Sequence, residues 1–300
     1  MNGPGGTDDL LARSRSALLD ALQALDAHRD AVIVVGAQAI YLRTAGAPVA
    51  LAEATKDSDL VVDPRCLHDD PLIEEAMRTG GFLPNLESQQ PGAWVNSEGI
   101  PVDLMVPEQL AGPGGKNARA ARIPPHDRRA TRRARGLEAA VVDNDVLEIR
   151  ALDATDPRRL NARVAGPAAL LIAKLHKIAE RATSSPDRLV DKDAHDLYRL
   201  LIDTDTNALA SKFRSLLREE VCGEVTAEAL VHLGNLFASG PDSIGSLMAG
   251  RAEEGIGEPE TVARQVAILA DDLLVAVNRL NRRTDLVKVA HSVPDPLTHR

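Results

Sequence analysis

Apolar and polar positions change their period several times along this chain. Leu11, Leu18, Leu22 and Leu25 recur at helical spacing behind Thr7, Asp8 and Asp9, which predicts a first helix running to about His28. Residues 2–6 ahead of it read as a Gly/Pro tail. The run Ala31-Val-Ile-Val-Val35 is β-branched and too short for a helix, so it reads as a buried strand. Gly36 then opens a second helix, from Ala37 to about Arg43. A loop rich in Ala, Gly and Pro leads to a second strand at 58–63, and a helix follows around 70–79, stopped by Gly80 and Gly81. Residues 99–107 form a third apolar run, which carries Asp103. Segments 137–142 and 146–152, joined by Asp143, Asn144 and Asp145, are predicted to form a hairpin.

Beyond about residue 160 strand signals fade. Gly166 and Pro167 open a helix to Ala182, a second covers about 189–203, and amphipathic helices continue to about 288. The last ten residues read as frayed. The expected architecture is an α/β (α+β) domain with a mixed sheet over residues 1–155, followed by an all-α domain over 156–300 that completes the site.

Composition narrows the choice of function. Leu and Ala are abundant and aromatics scarce, with one Trp, two Tyr and three Phe, which argues against a base-stacking platform for single strands. The net charge of −9 gives no global attraction for nucleic acid, yet Lys116 to Arg135 holds eight Lys/Arg and one acid. That segment also contains Gly-Pro-Gly-Gly and Pro124-Pro125, so part of it is loop. Cys66 and Cys222 match no metal spacing and are expected to be free thiols in a cytoplasmic protein. Neither a signal peptide nor a membrane span is expected.

The chemistry concentrates in Ala54-Thr-Lys-Asp-Ser-Asp-Leu-Val-Val-Asp63. Asp57 and Asp59 lie two apart at the mouth of a strand, so both carboxylates share one face and repel unless a cation lies between them. Hard oxygen ligands of this kind suit Mg²⁺, which commonly carries a nucleotide's phosphates. Gly36 starts a helix whose free N–H groups can face phosphate oxygens. Ser58 points to the opposite strand face and reads as structural. The bland reading is that both aspartates are turn and cap residues. Gly36 upstream and Asp103 on a later strand favour the functional one.

Strand, glycine turn, helix, an Asp-x-Asp strand and a later Asp strand together resemble the nucleotidyltransferase superfamily shared by DNA polymerase beta and the aminoglycoside nucleotidyltransferases. Gly36, Asp57, Asp59 and Asp103 match its pattern, and Ala37 stands where the family has Gly or Ser. The helical half adds Ala173-Lys-Leu-His-Lys-Ile-Ala-Glu-Arg181 and Asp191-Lys-Asp-Ala-His-Asp-Leu-Tyr-Arg-Leu200, which resemble the Lys and Lys-Asp-x-x-Asp motifs of the AbiEii family, including the MenT toxins.

That resemblance implies a Mg²⁺-dependent transfer of a nucleotide from an NTP to an RNA acceptor, the 3′ end of tRNA, by a toxin with a cognate antitoxin. It implies metal ligation by Asp57, Asp59 and Asp103, with Asp103 alternatively taking the acceptor's proton. Lys174 would bind phosphate, and Asp193 or Asp196 would orient or deprotonate the acceptor. Lys177 and Arg181 share a helix face with Lys174 and would join Gly36 and Ala37 in nucleotide binding. Arg128, Arg129, Arg132, Arg133 and Arg135 are the expected RNA contacts. His176 and His195 receive no role. A transferase acting on small molecules or protein hydroxyls, and a degenerate RNA- or partner-binding protein, are the alternatives.

Overall fold

The computed structural model describes residues 7–47, 57–115 and 118–291. The expected N-terminal tail, most of the last ten residues, part of the loop before the Asp-x-Asp motif, and Lys116 lie outside them.

Helix α1 (Thr7–Ala24) is followed by a 3-10 turn, strand β1 (Val32–Val35) and helix α2 (Gly36–Arg43). Strand β2 (Ser58–Val62), helix α3 (Ile73–Thr79) and strands β3 (Leu83–Pro84), β4 (Ala93–Val95), β5 (Pro101–Pro107) and β6 (Arg132–Ala134) come next. Strands β7 (Asn144–Arg150) and β8 (Arg159–Ala165) complete one mixed sheet. Its order is β3-β4-β5-β2-β1-β8-β7, with β6 also paired to β5. The helical part holds α4 (Pro167–Ser184), α5 (Asp191–Asp203), α6 (Thr206–Leu216), α7 (Gly223–Leu233), α8 (Ile244–Arg251) and α9 (Pro259–His291).

The central strands are buried because their side chains are apolar on both faces: β1 is covered throughout, as are Leu60, Val61 and Val62 of β2. Strand β1 pairs antiparallel with β2 and parallel with β8, and β2 pairs parallel with β5. Strand β5 shares one flank between two short partners. Ala93 to Val95 pair antiparallel with residues 101–103, and Arg132 to Ala134 pair parallel with residues 105–107. Gly92 sits where one partner gives way to the other. Its φ is +74°, and a Cβ there would fall 2.2 Å from the Leu104 carbonyl oxygen and 2.6 Å from the Arg132 nitrogen.

The expected hairpin does not form. Residues 138–141 make a 3-10 turn, and β7 pairs with β8 instead, from Asn144 opposite Ala165 to Arg150 opposite Arg159. The three polar residues read as its turn have other duties. Asp143 accepts the Ala169 N–H at the start of α4 (3.0 Å), Asn144 donates to the Ala140 carbonyl (2.8 Å), and Asp145 pairs with Arg43. The sheet therefore continues past residue 155, because β8 lies beside β1.

Two of the helices beyond the sheet bear on the candidate site. Gly166 and Pro167 start α4 as the sequence indicates. Helix α5 is tied to the end of α2 by Arg199, which is buried and donates to the Thr44 carbonyl (2.9 Å) and hydroxyl (3.2 Å).

Candidate active site

The site forms where the ends of β1, β2 and β5 meet the starts of α2 and β6, with α4 opposite. Val35, the last residue of β1, is opposite Asp59 in the antiparallel pair, and Asp59 is beside Asp103 in the parallel one. In-register parallel neighbours present their side chains to the same face, so these two carboxylates are adjacent. Gly36 has φ +67°, and a Cβ on it would lie 2.1 Å from an Asp59 carboxylate oxygen. The glycine is needed both for the backbone turn and for the space Asp59 occupies. Ala37 follows inside α2 and is buried. Ser58 faces the other way, with its hydroxyl donating to the Ser14 carbonyl at 3.1 Å.

The electrostatics follow from this crowding. Burial, then the charges of Asp57 and Asp103, push the Asp59 carboxyl up to about 7, against the opposing pull of Lys177 and Arg132. Asp103 is also raised, by burial and by Asp57, although Arg132 pulls it down. Arg132 donates to Asp103 Oδ2 at 3.0 Å and to Gln90 Oε1 at 3.0 Å. The third carboxylate, expected to share a metal, is thus held in an ion pair with an arginine expected to contact RNA.

Near these carboxylates, α4 and α5 form a buried charge network. Lys174 is 5 % exposed and donates to Asp193 (2.6 Å) and Asp196 (2.8 Å). Lys177 and Arg181 also reach Asp193, at 3.0 and 2.9 Å, and Lys192 reaches Asp196 at 3.0 Å. Burial alone would lower Lys174, but its two aspartates hold it well above the usual lysine range. Burial would raise Asp193, yet Lys174 and Lys177 keep it well below the usual carboxylate range. Lys177 is lowered by desolvation and by Lys174, and it senses the charge of Asp59. It links the helical network to the carboxylates of the sheet.

These positions refine the expected roles. Lys174 is enclosed by carboxylates, so it organises the network, and the half-exposed Lys177 and the partly exposed Arg181 are the cations nearer solvent. An aspartate that takes donors from three cations is a weak base, which makes Asp193 an anchor for those cations. Gln90 and Lys192 were missed. Lys192 could have been found from its i, i+4 spacing to Asp196, whereas Gln90 carries no sequence signal.

Of the five arginines expected to contact RNA, three make internal bonds. Arg132 is on Asp103, Arg133 donates to the Gly112 carbonyl (2.6 Å), and Arg135 pairs with Glu228 (2.7 Å) and Glu224 (3.0 Å). Arg128 and Arg129 are exposed, as are Arg119 and Arg122 from the same segment. Among the described residues no helix is long and apolar enough to cross a membrane.

The donor set suits one divalent cation. Asp57 and Asp59 offer hard oxygens, and a cation bound there would offset the burial and the neighbouring carboxylates that raise Asp59. Among the described residues no group of three His, Cys, Asp or Glu side chains could share a metal. Two carboxylates nonetheless suffice for Mg²⁺ when the substrate's phosphates complete the coordination.

Comparison with known proteins finds no matching family model and no matching curated protein. Among solved structures the chain is similar to an antigenic nucleotidyltransferase-like protein from Paracoccidioides brasiliensis, with TM-score 0.35 and 16 % identity over 74 % of this chain and 93 % of that one. It is also similar to a nucleotidyltransferase candidate from H. pylori, with TM-score 0.33 and 10 % identity over 90 % of this chain and 97 % of that one. These likenesses are low.

Proposed function

We propose that this chain is a nucleotidyltransferase that moves a nucleotide from an NTP to an RNA hydroxyl, with the tRNA 3′ end as acceptor. The observation that carries the transferase reading is Asp59, crowded by Asp57 and Asp103 against the glycine that starts α2, with Lys177 acting on it from α4. Bound Mg²⁺, held by Asp57 and Asp59, would neutralise phosphate charge and assist departure of pyrophosphate. The start of α2 offers backbone N–H groups to phosphate oxygens. Lys177 and Arg181 supply positive charge where negative charge develops on the transferring group, and Asp193 with Lys174 fixes their positions. In-line attack then depends on alignment, which the sheet and α4 provide without a covalent intermediate.

RNA as acceptor is supported by the exposed Arg119, Arg122, Arg128 and Arg129 in an otherwise acidic chain. The toxin role and a cognate antitoxin are supported by the two helical motifs around Lys174 and Asp193. The test is incubation of the purified chain with Mg²⁺, total tRNA and each α-labelled NTP in turn, beside Asp59→Asn. Label on tRNA from one NTP, absent in the variant, is the expected result. Label on the chain itself would move the acceptor to protein hydroxyls, and no label with any NTP would overturn the transferase reading.

A further inference from the structure

Arg132 stands out as a cation placed where a carboxylate of the sheet would otherwise meet a metal. It is positioned by the β5 branch, since Gly92 ends the β4 pairing and lets β6 dock with Arg132 opposite Met105. Asp103 and Met105 are two apart on β5 and share a face, and the guanidinium spans both, at 3.0 Å from Asp103 Oδ2 and 3.1 Å from the Met105 sulfur. Gln90 holds a second guanidinium nitrogen. The pair is not sunk in the core. The Arg132 and Asp103 side chains are 28 % and 25 % exposed, and the charges of both act on Asp59.

A guanidinium stays protonated at any working pH, so this positive charge is permanent. A divalent cation on Asp103 would have to approach against it. With one divalent ion on Asp57 and Asp59, the positive charge of that ion, Arg132 and Lys177 already exceeds that of the three carboxylates, which suits a polyanionic substrate. A second ion would leave a large excess.

We infer that this chain holds a single divalent cation, on Asp57 and Asp59, and that the Arg132 guanidinium, seated on Asp103, takes the place of a second one. The inference rests on the proposed transferase reading and specifies how its charge is supplied. Arg132 is then a positioning and neutralising residue of the cleft, and the RNA-facing role passes to its exposed neighbours.

The test is titration of the full chain with Mn²⁺ alone, reading bound metal from loss of the free-ion electron paramagnetic resonance signal. One site is expected in the unsubstituted chain, lost in Asp59→Asn and retained in Asp103→Asn. Arg132→Gln should bind two ions, falling back to one when Asp103→Asn is added. Two sites in the unsubstituted chain, reduced to one by Asp103→Asn, would overturn the inference. So would an Arg132→Gln chain that is folded by circular dichroism and still binds one ion. If Arg132→Gln does not fold, the Asp103→Asn count decides alone. Failure of the metal assignment beneath both readings looks different: Mn²⁺ binding is absent or indifferent to Asp59→Asn.

Discussion

Asp59 keeps its proton to about pH 7 in the folded chain, against an ordinary value of 3.8. The folded state therefore binds more protons than the unfolded state across that interval, and stability falls as pH rises through it. Asp59→Asn removes this slope. In EDTA at pH 8 the variant should be more stable by roughly 4 kcal/mol, with the gain vanishing towards pH 4; urea melts at the two pH values measure it. The same variant should lose transfer activity by roughly a hundredfold or more, so stability and activity move in opposite directions. Gly36→Ala makes a sharper steric test. Its added methyl needs the space of an Asp59 oxygen at a positive φ, and a displaced carboxylate should cost about a hundredfold in kcat with the fold intact by circular dichroism.

Elements rather than single residues carry the cationic side of the cleft. Helices α4 and α5 share the Lys174–Asp193–Asp196 network, and removing its central cation leaves two buried carboxylates without their main partner. Lys174→Leu should therefore destabilise the chain by about 3–5 kcal/mol. Lys177→Ala, at the half-exposed rim, should leave the melting temperature nearly unchanged and raise the KM for NTP. Thermal melts beside steady-state kinetics separate the two. Much of this arrangement was legible in the sequence: short β-branched runs gave β1 and β2, and Gly166 with Pro167 gave the start of α4. Strand β8 has a weak sequence signal because Arg159, Asn161 and Arg163 break its apolar run, although Leu160, Ala162 and Val164 alternate with them as a half-buried strand requires. The hairpin reading failed because Asp143, a good turn residue, caps α4 instead. The Arg132–Asp103 pair could not be read at all, since it depends on β6 docking at Gly92, a long-range event with no local signal.

At the scale of the whole molecule, charge is divided. The chain is acidic overall, and its exposed arginines in the 119–129 segment are the surface that the proposed RNA acceptor would use. Arg128 and Arg129 replaced together by Ala should reduce the slope of log affinity against log salt by about 1.4, if both meet single-stranded phosphates. Nitrocellulose binding of tRNA across a salt series tests this, and an unchanged slope would remove both residues from the interface.

The crowded carboxylates on β2 and β5 also bear on how variants of this chain should be screened. Replacing Asp59 with its amide is an uncharged, nearly isosteric change that relieves a tension built into the resting fold. A library sorted for heat tolerance alone will therefore enrich the amide at this position and converge on robust but inert proteins. Sorting must include nucleotide transfer in every round, because survival and usefulness select opposite residues there.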